Sequence, residues 1–174
     1  METVSPPFSL RRLAYVAVSL TVIVLDQITK SMVDNQIPLH SSITVISGLL
    51  DLTHVKNTGA AFGLFASIES PFRALFLNAV AFAVFIAVAI YAWRTSVTST
   101  RLQSGLALIL GGAVGNLIDR VRYGSVTDFL DVYLGSYRWP AFNVADSAIT
   151  IGVLLLAWDI FRSKEPATER PAAA

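Results

Sequence analysis

Asp128 and Asp146 are the residues of this chain best suited to chemistry, because the other common catalytic arrangements are missing from its 174 residues. There are no cysteines, which removes disulfides, thiolate metal sites and any cysteine nucleophile. The two histidines, His40 and His54, lack flanking ligand spacing, so no zinc site is indicated. No serine occupies a Gly-x-Ser-x-Gly setting, and a Ser–Lys dyad built on Lys30 has no spacing signature. Paired carboxylates remain. Two carboxyl groups held close together resist double ionisation and share one proton. The ionised member takes a proton from water, while the protonated member polarises the scissile carbonyl and helps the amine leave. That chemistry needs no metal and no cofactor, and it suits a site at a lipid boundary, where low dielectric increases the coupling. Each acid also has a plainer reading. Asp128 reads equally as a solvated acid in a loop just outside or re-entering the membrane, and Asp146 as a charge complementing a helix N-terminus.

Other polar residues stand where an ionisable group costs roughly 2.5–3.5 kcal/mol to insert, and each needs a reason. Asp26 and Lys30 are four apart on one helix face, either as a self-neutralised pair with Lys30 reaching outward or as groups facing a substrate. Asn57 opens Asn57-Thr58-Gly59-Ala60-Ala61-Phe62-Gly63, which alone is a turn signal. Gly112, Asn116 and Arg120 share a helix face, so Asn116 and Arg120 present an amide and a guanidinium suited to a carboxylate or peptide carbonyl. Asp119 stands ready to neutralise Arg120. Asn143, Asp146 and Thr150 lie on one face of a further helix.

The elements that must position these residues belong to a membrane chain. The composition is 54% hydrophobic and only 14% charged, against roughly 25% charged in ordinary globular chains. Four apolar stretches, 13–33, 72–93, 102–121 and 142–161, approach or exceed the roughly 20 residues that cross a bilayer. The first is too long for a cleaved signal peptide and lacks a cleavage site, so it reads as a retained span. Four spans put both termini on one side. Arg11, Arg12, Arg94, Arg101, Arg162, Lys164 and Arg170 mark that side as cytoplasmic, seven basic residues against six on the other, with the flank of the first span carrying most weight. That orientation places Asp128 and Asp146 near the outer face of the membrane.

The expected fold is therefore an all-α membrane bundle of four helices with a small outer β region over about 38–65. In that region Ile43-Thr44-Val45-Ile46 and residues 49–55 form a hairpin around a two-residue Ser47-Gly48 turn. The apolar stretch Ala60 to Phe65 reads as interfacial, and Ser70-Pro71 as the start of the second span. Gly111 and Gly115 form a small-xxx-small pair that lets another helix approach closely. Residues 1–163 make one domain, and 164–174 read as a disordered cytoplasmic tail. No basic run suggests nucleic acid. A non-enzymatic alternative is a small transporter or assembly factor in which Asp26, Arg120, Asp128 and Asp146 form a buried polar network or proton relay, although no broken-helix or inverted-repeat pattern is visible.

Five stretches, in order, carry a family resemblance. They are Asp26-Gln27-Ile28-Thr29-Lys30, Asn57 to Gly63, Gly115-Asn116-Leu117-Ile118-Asp119-Arg120, Asp128-Phe129, and Pro140-Ala141-Phe142-Asn143-Val144-Ala145-Asp146-Ser147. With the span pattern, the chain resembles the bacterial lipoprotein signal peptidases of the signal peptidase II type. That resemblance implies an aspartyl endopeptidase with Asp128 and Asp146 as its catalytic pair. It further implies that Asn57, Gly59, Asn116, Arg120 and Asn143 line the site and hold substrate, with Asp26 and Lys30 in support. The implied partners are a diacylglyceryl-modified prolipoprotein cleaved just before its lipidated cysteine, membrane lipid, and a globomycin-type inhibitor.

Overall fold

A computed structural model of the protein describes residues 9–59 and 72–162. The expected interfacial stretch at 60–65, the expected start of the second span at Ser70-Pro71 and the expected tail lie outside them. Helix α1 (Leu10–Gln36) begins three residues before the apolar run because the Ser9 hydroxyl accepts a hydrogen bond from the Arg12 N–H at 3.3 Å. It stops at Ile37, whose φ of −115° and ψ of 121° are the extended values imposed on a residue preceding proline. After α2 (Phe72–Arg94) comes α3 (Thr100–Tyr123), which outlasts the apolar run by two residues. Gly124 ends α3 at φ 70°, donating its N–H to the Arg120 carbonyl. The last helix, α4 (Val144–Arg162), starts later than residue 142.

Among the described residues, α1, α3 and α4 are long and apolar enough to cross a membrane, with mean hydropathies of 1.5, 1.3 and 1.8 over their richest windows. In α2 the qualifying stretch is the shorter Asn78–Arg94. Of the four spans expected, three are long and apolar enough among the described residues. Leu13, Val16, Leu20, Val24 and Ile28 leave one stripe of α1 more than half exposed, an arrangement suited to lipid.

Helix α3 is the hub, packed on α1, α2 and α4. Its glycines make that possible. A Cβ on Gly111 would stand 2.8 Å from the Ser19 carbonyl oxygen, and one on Gly115 would stand 2.7 Å from Asp26 Oδ2, so α1 lies directly on this face. Gly112 meets the Ala145 carbonyl of α4 in the same way, and Gly105 faces Gly152.

The β region is larger than a hairpin. Four antiparallel strands run in the order β1-β2-β3-β4: β1 (Ser42–Ile46), β2 (Leu50–Asn57), β3 (Val126–Leu134) and β4 (Tyr137–Arg138). The β1–β2 turn spans three residues, 47–49, rather than two. Gly48 sits at φ 72°, and a register shift between Thr44 and Ile46 absorbs the extra residue. Strand β3 joins from the far side of the sequence and carries Asp128, which the loop reading had left outside regular structure. Phe129 of β3 packs with Val33 of α1 and Ile37 just beyond it, flanked by Leu52, Leu130 and Val144, and this cluster seats the sheet on the helix ends.

Candidate active site

Asp128 and Asp146 reach one place from different elements. Asp128 lies on β3 opposite Val55 of β2, and Asp146 lies in the first turn of α4. That first turn is a reciprocal cap. Asn143 Oδ1 accepts the Asp146 N–H at 2.9 Å, and Asp146 Oδ2 accepts the Asn143 N–H at 3.3 Å. This is the capping-box pattern, and it explains why α4 begins at Val144. The helix-terminal reading of Asp146 is therefore true of one of its oxygens. The other, Oδ1, accepts from Asn116 Nδ2 at 2.8 Å.

Asp128 is held by two amides. Asn143 Nδ2 donates to Oδ1 at 2.7 Å and Asn57 Nδ2 donates to Oδ2 at 3.0 Å. Asn57 is itself fixed by the Gly59 N–H, which donates to Asn57 Oδ1 at 2.9 Å. Asp128 is 3% exposed, so the reading as a solvated loop acid is set aside. Burial pushes its carboxyl up to about 6. The Asn57 and Asn143 hydrogen bonds and the Lys30 charge work downward, while the Asp146 charge adds to the rise.

That shift has a sign in stability. A carboxyl raised on folding stabilises the fold fully below about pH 4, and the contribution is lost as pH rises through about 6. The loss is on the order of 3 kcal/mol at 1.36 kcal/mol per unit. The difference in apparent melting temperature between Asp128→Asn and wild type is therefore expected to move in the variant's favour between about pH 4 and 6, then to level off. A difference that stays constant over that interval would show that Asp128 does not feel its burial.

Behind the two acids lies a buried ionic cluster. Lys30, 3% exposed, sits 2.8 Å from Asp26 Oδ2 and 3.0 Å from Asp119 Oδ2, and donates to Asn116 Oδ1 at 2.9 Å. It turns inward rather than reaching for the interface, and Asp119 serves Lys30 as an ion-pair partner. Asp26 Oδ1 also accepts the Ala145 N–H at 2.9 Å, placing a carboxylate on the N-terminal turn of α4. Gln27 Nε2 joins Asp119 Oδ1 at 2.9 Å to the Gly115 carbonyl at 3.1 Å. Asn116 thus connects Lys30 to Asp146, and Asn143 Nδ2 donates to Asn116 Oδ1 at 3.2 Å.

A cavity of about 710 Å³ opens beside the acids between α2, α3 and α4. Asn57, Asn116, Arg120, Asp128 and Asp146 line it, and Ala81, Val84, Phe142 and Ile149 make much of its apolar wall. The Arg120 side chain makes no hydrogen bond or ion pair to another described residue, yet it shares this cavity with both acids. All nine residues singled out from the sequence therefore fall in one neighbourhood. Asn116 and Asn143 spend their amides on the acids, and Gly59 acts through Asn57. Sequence reasoning missed Gln27, Asp119 as a partner of Lys30, and Thr127. It also missed Asp34, which continues the four-residue spacing of Asp26 and Lys30 along α1.

Known proteins resemble this chain in sequence and fold. A family profile described as Signal peptidase (SPase) II matches residues 18–162. The lipoprotein signal peptidase of Desulforapulum autotrophicum is 50% identical over 149 residues, covering 86% of this chain and 92% of that protein. The lipoprotein signal peptidase of Geobacter sulfurreducens is 51% identical over 150 residues, covering 85% and 91%. A bacterial membrane enzyme solved by the in meso method superposes with a TM-score of 0.81 at 30% identity, covering 92% of this chain and 94% of its own. A second such structure gives 0.77 at 31% identity, covering 87% and 94%. With sequence and fold in agreement, the chain belongs to the signal peptidase II family of membrane peptidases.

Proposed function

We propose that this protein is an aspartic-type endopeptidase that removes the signal peptide from diacylglyceryl-modified bacterial prolipoproteins, cleaving just before the lipidated cysteine. The observation that carries the mechanism is the convergence of Asp128 and Asp146 on one apolar-walled cavity, each carboxylate held by side-chain amides. One proton is shared between them. The ionised carboxyl draws a proton from water as it attacks the scissile carbonyl, while the other carboxyl gives its proton to the developing oxyanion. As the C–N bond breaks, the first passes the water-derived proton to the departing amine and the second recovers its own from the gem-diol. Asn116 and Asn143 fix the acids, and Asn57 fixes Asp128 from the sheet side. Arg120 is the cation left to hold a substrate carbonyl. No metal or cofactor takes part.

The substrate class comes from the relatives named lipoprotein signal peptidase. The apolar wall of the cavity suits the lipid-borne part of such a substrate. In this reading residues 1–163 form one membrane domain, α2 is the fourth span, and both termini lie in the cytoplasm of the bacterial inner membrane. The acids then lie near the outer leaflet, where a lipidated cysteine resides, and a globomycin-type inhibitor competes for the same cavity.

Purified protein in detergent, given a diacylglyceryl-modified prolipoprotein, is expected to release the signal peptide, with activity undiminished by strong chelator. The unlipidated precursor is expected to be cleaved at least tenfold more slowly, since a missing apolar group costs roughly 1–3 kcal/mol of discrimination. Equal rates on both substrates would remove lipid recognition from the proposal.

A further inference from the structure

The residue preceding Asp128 is held at every polar atom it has. Thr127 is 1% exposed. Its N–H donates to Asp119 Oδ2 at 3.2 Å, and its carbonyl accepts from Asn143 Nδ2 at 3.3 Å. Its hydroxyl accepts from Lys56 Nζ at 2.7 Å and donates to Asp34 Oδ1 at 3.2 Å. The first two contacts belong to the buried cluster already described. The third brings in groups that the proposed mechanism does not use.

Asp34 stands near the end of α1, and Lys56 stands on β2 directly opposite Thr127 in the β2–β3 register. Lys56 Nζ reaches both Asp34 oxygens, at 2.8 and 2.9 Å. His54 stands beside the pair on the same strand. Its Nδ1 donates to the Ile37 carbonyl at 2.7 Å, and its Nε2 lies 3.0 Å from Asp34 Oδ1. A register shift between Leu52 and Val55 sets the phase of β2 here. As a result Lys56 acts on Thr127, while Asn57, the next residue, acts on Asp128.

The Asp34–Lys56 pair is partly exposed, and such pairs add little to stability. A simple staple between α1 and β2 would leave the chemistry unaffected. The buried hydroxyl at its centre argues for more, because it fixes the backbone one residue from a reacting carboxyl. Reaction rates fall steeply when a reacting group is displaced even slightly.

We infer that Asp34 and Lys56 are positioning residues, which hold the Thr127 hydroxyl and through it set where Asp128 stands relative to Asp146. The inference rests on the reading of Asp128 and Asp146 as the catalytic pair. Thr127→Val tests it, since it removes the hydroxyl and leaves the Asp34–Lys56 pair in place. With full-length protein in detergent and a diacylglyceryl-modified prolipoprotein, kcat per folded molecule is expected to fall about tenfold, with KM changed by less than about twofold. Thr127→Ser keeps the hydroxyl and is expected to retain wild-type kcat. Asp34→Asn is expected to lower kcat in the same way, and combined with Thr127→Val to add nothing further, because both act through one contact.

A purely structural staple would lower the melting temperature and the folded yield while leaving kcat per folded molecule unchanged. Wild-type kcat in Thr127→Val, or multiplying losses in the double variant, would overturn the inference. Asp128→Asn, measured alongside, separates the two levels. If it is inactive while Thr127→Val is normal, positioning alone fails; if it turns over normally, the catalytic pair fails and the inference with it.

Discussion

Asparagine in place of either Asp128 or Asp146 is expected to reduce signal-peptide release by at least about 10⁴-fold, the scale on which loss of one member of a catalytic set acts. The reason is specific to the geometry. An amide has nearly the shape of the carboxyl it replaces but can neither take a proton from water nor lend one to the leaving amine. The surroundings tolerate the exchange. In Asp146→Asn one oxygen remains to accept either from Asn116 or from the Asn143 N–H, so the cost is about that of a weakened cap, roughly 0.5–2 kcal/mol. Asp128→Asn removes a carboxyl whose burial disfavours its charge, so the fold gains from the exchange at neutral pH. Lost activity in a variant that melts at or above the wild-type temperature cannot be ascribed to unfolding. Either variant turning over within about tenfold of wild type would remove that residue from the proposed chemistry.

Lys30→Met carries the largest expected effect on stability. Lys30 neutralises Asp26 and Asp119 together, and neither carboxylate side chain is more than 3% exposed. Removing one partner of a buried ion pair leaves its counter-charges uncompensated and typically costs about 3–5 kcal/mol. Asn116 Oδ1 would also lose a charged donor, loosening the amide that holds Asp146. Folded yield and apparent melting temperature are expected to drop sharply. Lys30→Met combined with Asp119→Asn should recover part of the loss, because it removes one orphaned charge while Asp26 keeps its bond to the Ala145 N–H. A single variant as stable as wild type would mean that the cluster is hydrated or rearranges freely.

These two results would test parts of the protein that were unequally legible beforehand. Helix positions followed from length and hydropathy, because lipid demands long apolar runs. Their ends did not follow in this way, because local chemistry sets them: Ser9 as a cap, Pro38 as a stop, and Gly124 as a left-handed terminus. Asp26 and Lys30, or Asn143 and Asp146, could be paired on sight because helical spacing fixes their neighbours. Strand β3 could not be read this way. Its register partner Asp51 is far away in sequence, and Asp128 and Asp131 interrupt its apolar pattern, although both are buried. Alternation is a guide only when one face of a strand meets water, and the first four residues of β3 are buried on both faces.

By itself, then, the sequence determined a membrane chain, its candidate acids and amides, and the glycine face that lets α3 sit among its neighbours. Each of these depends on residue type and on contacts within a few turns of one helix. The tertiary structure decided which acid meets which partner. Lys30 faces inward because Asp119 arrives from α3, Asp128 is buried because β2 pairs with β3, and Thr127 is clamped because α1, β2, α3 and α4 converge on it. Most of those contacts join residues tens of positions apart, and only the burial of a shared apolar core brings them within hydrogen-bonding distance.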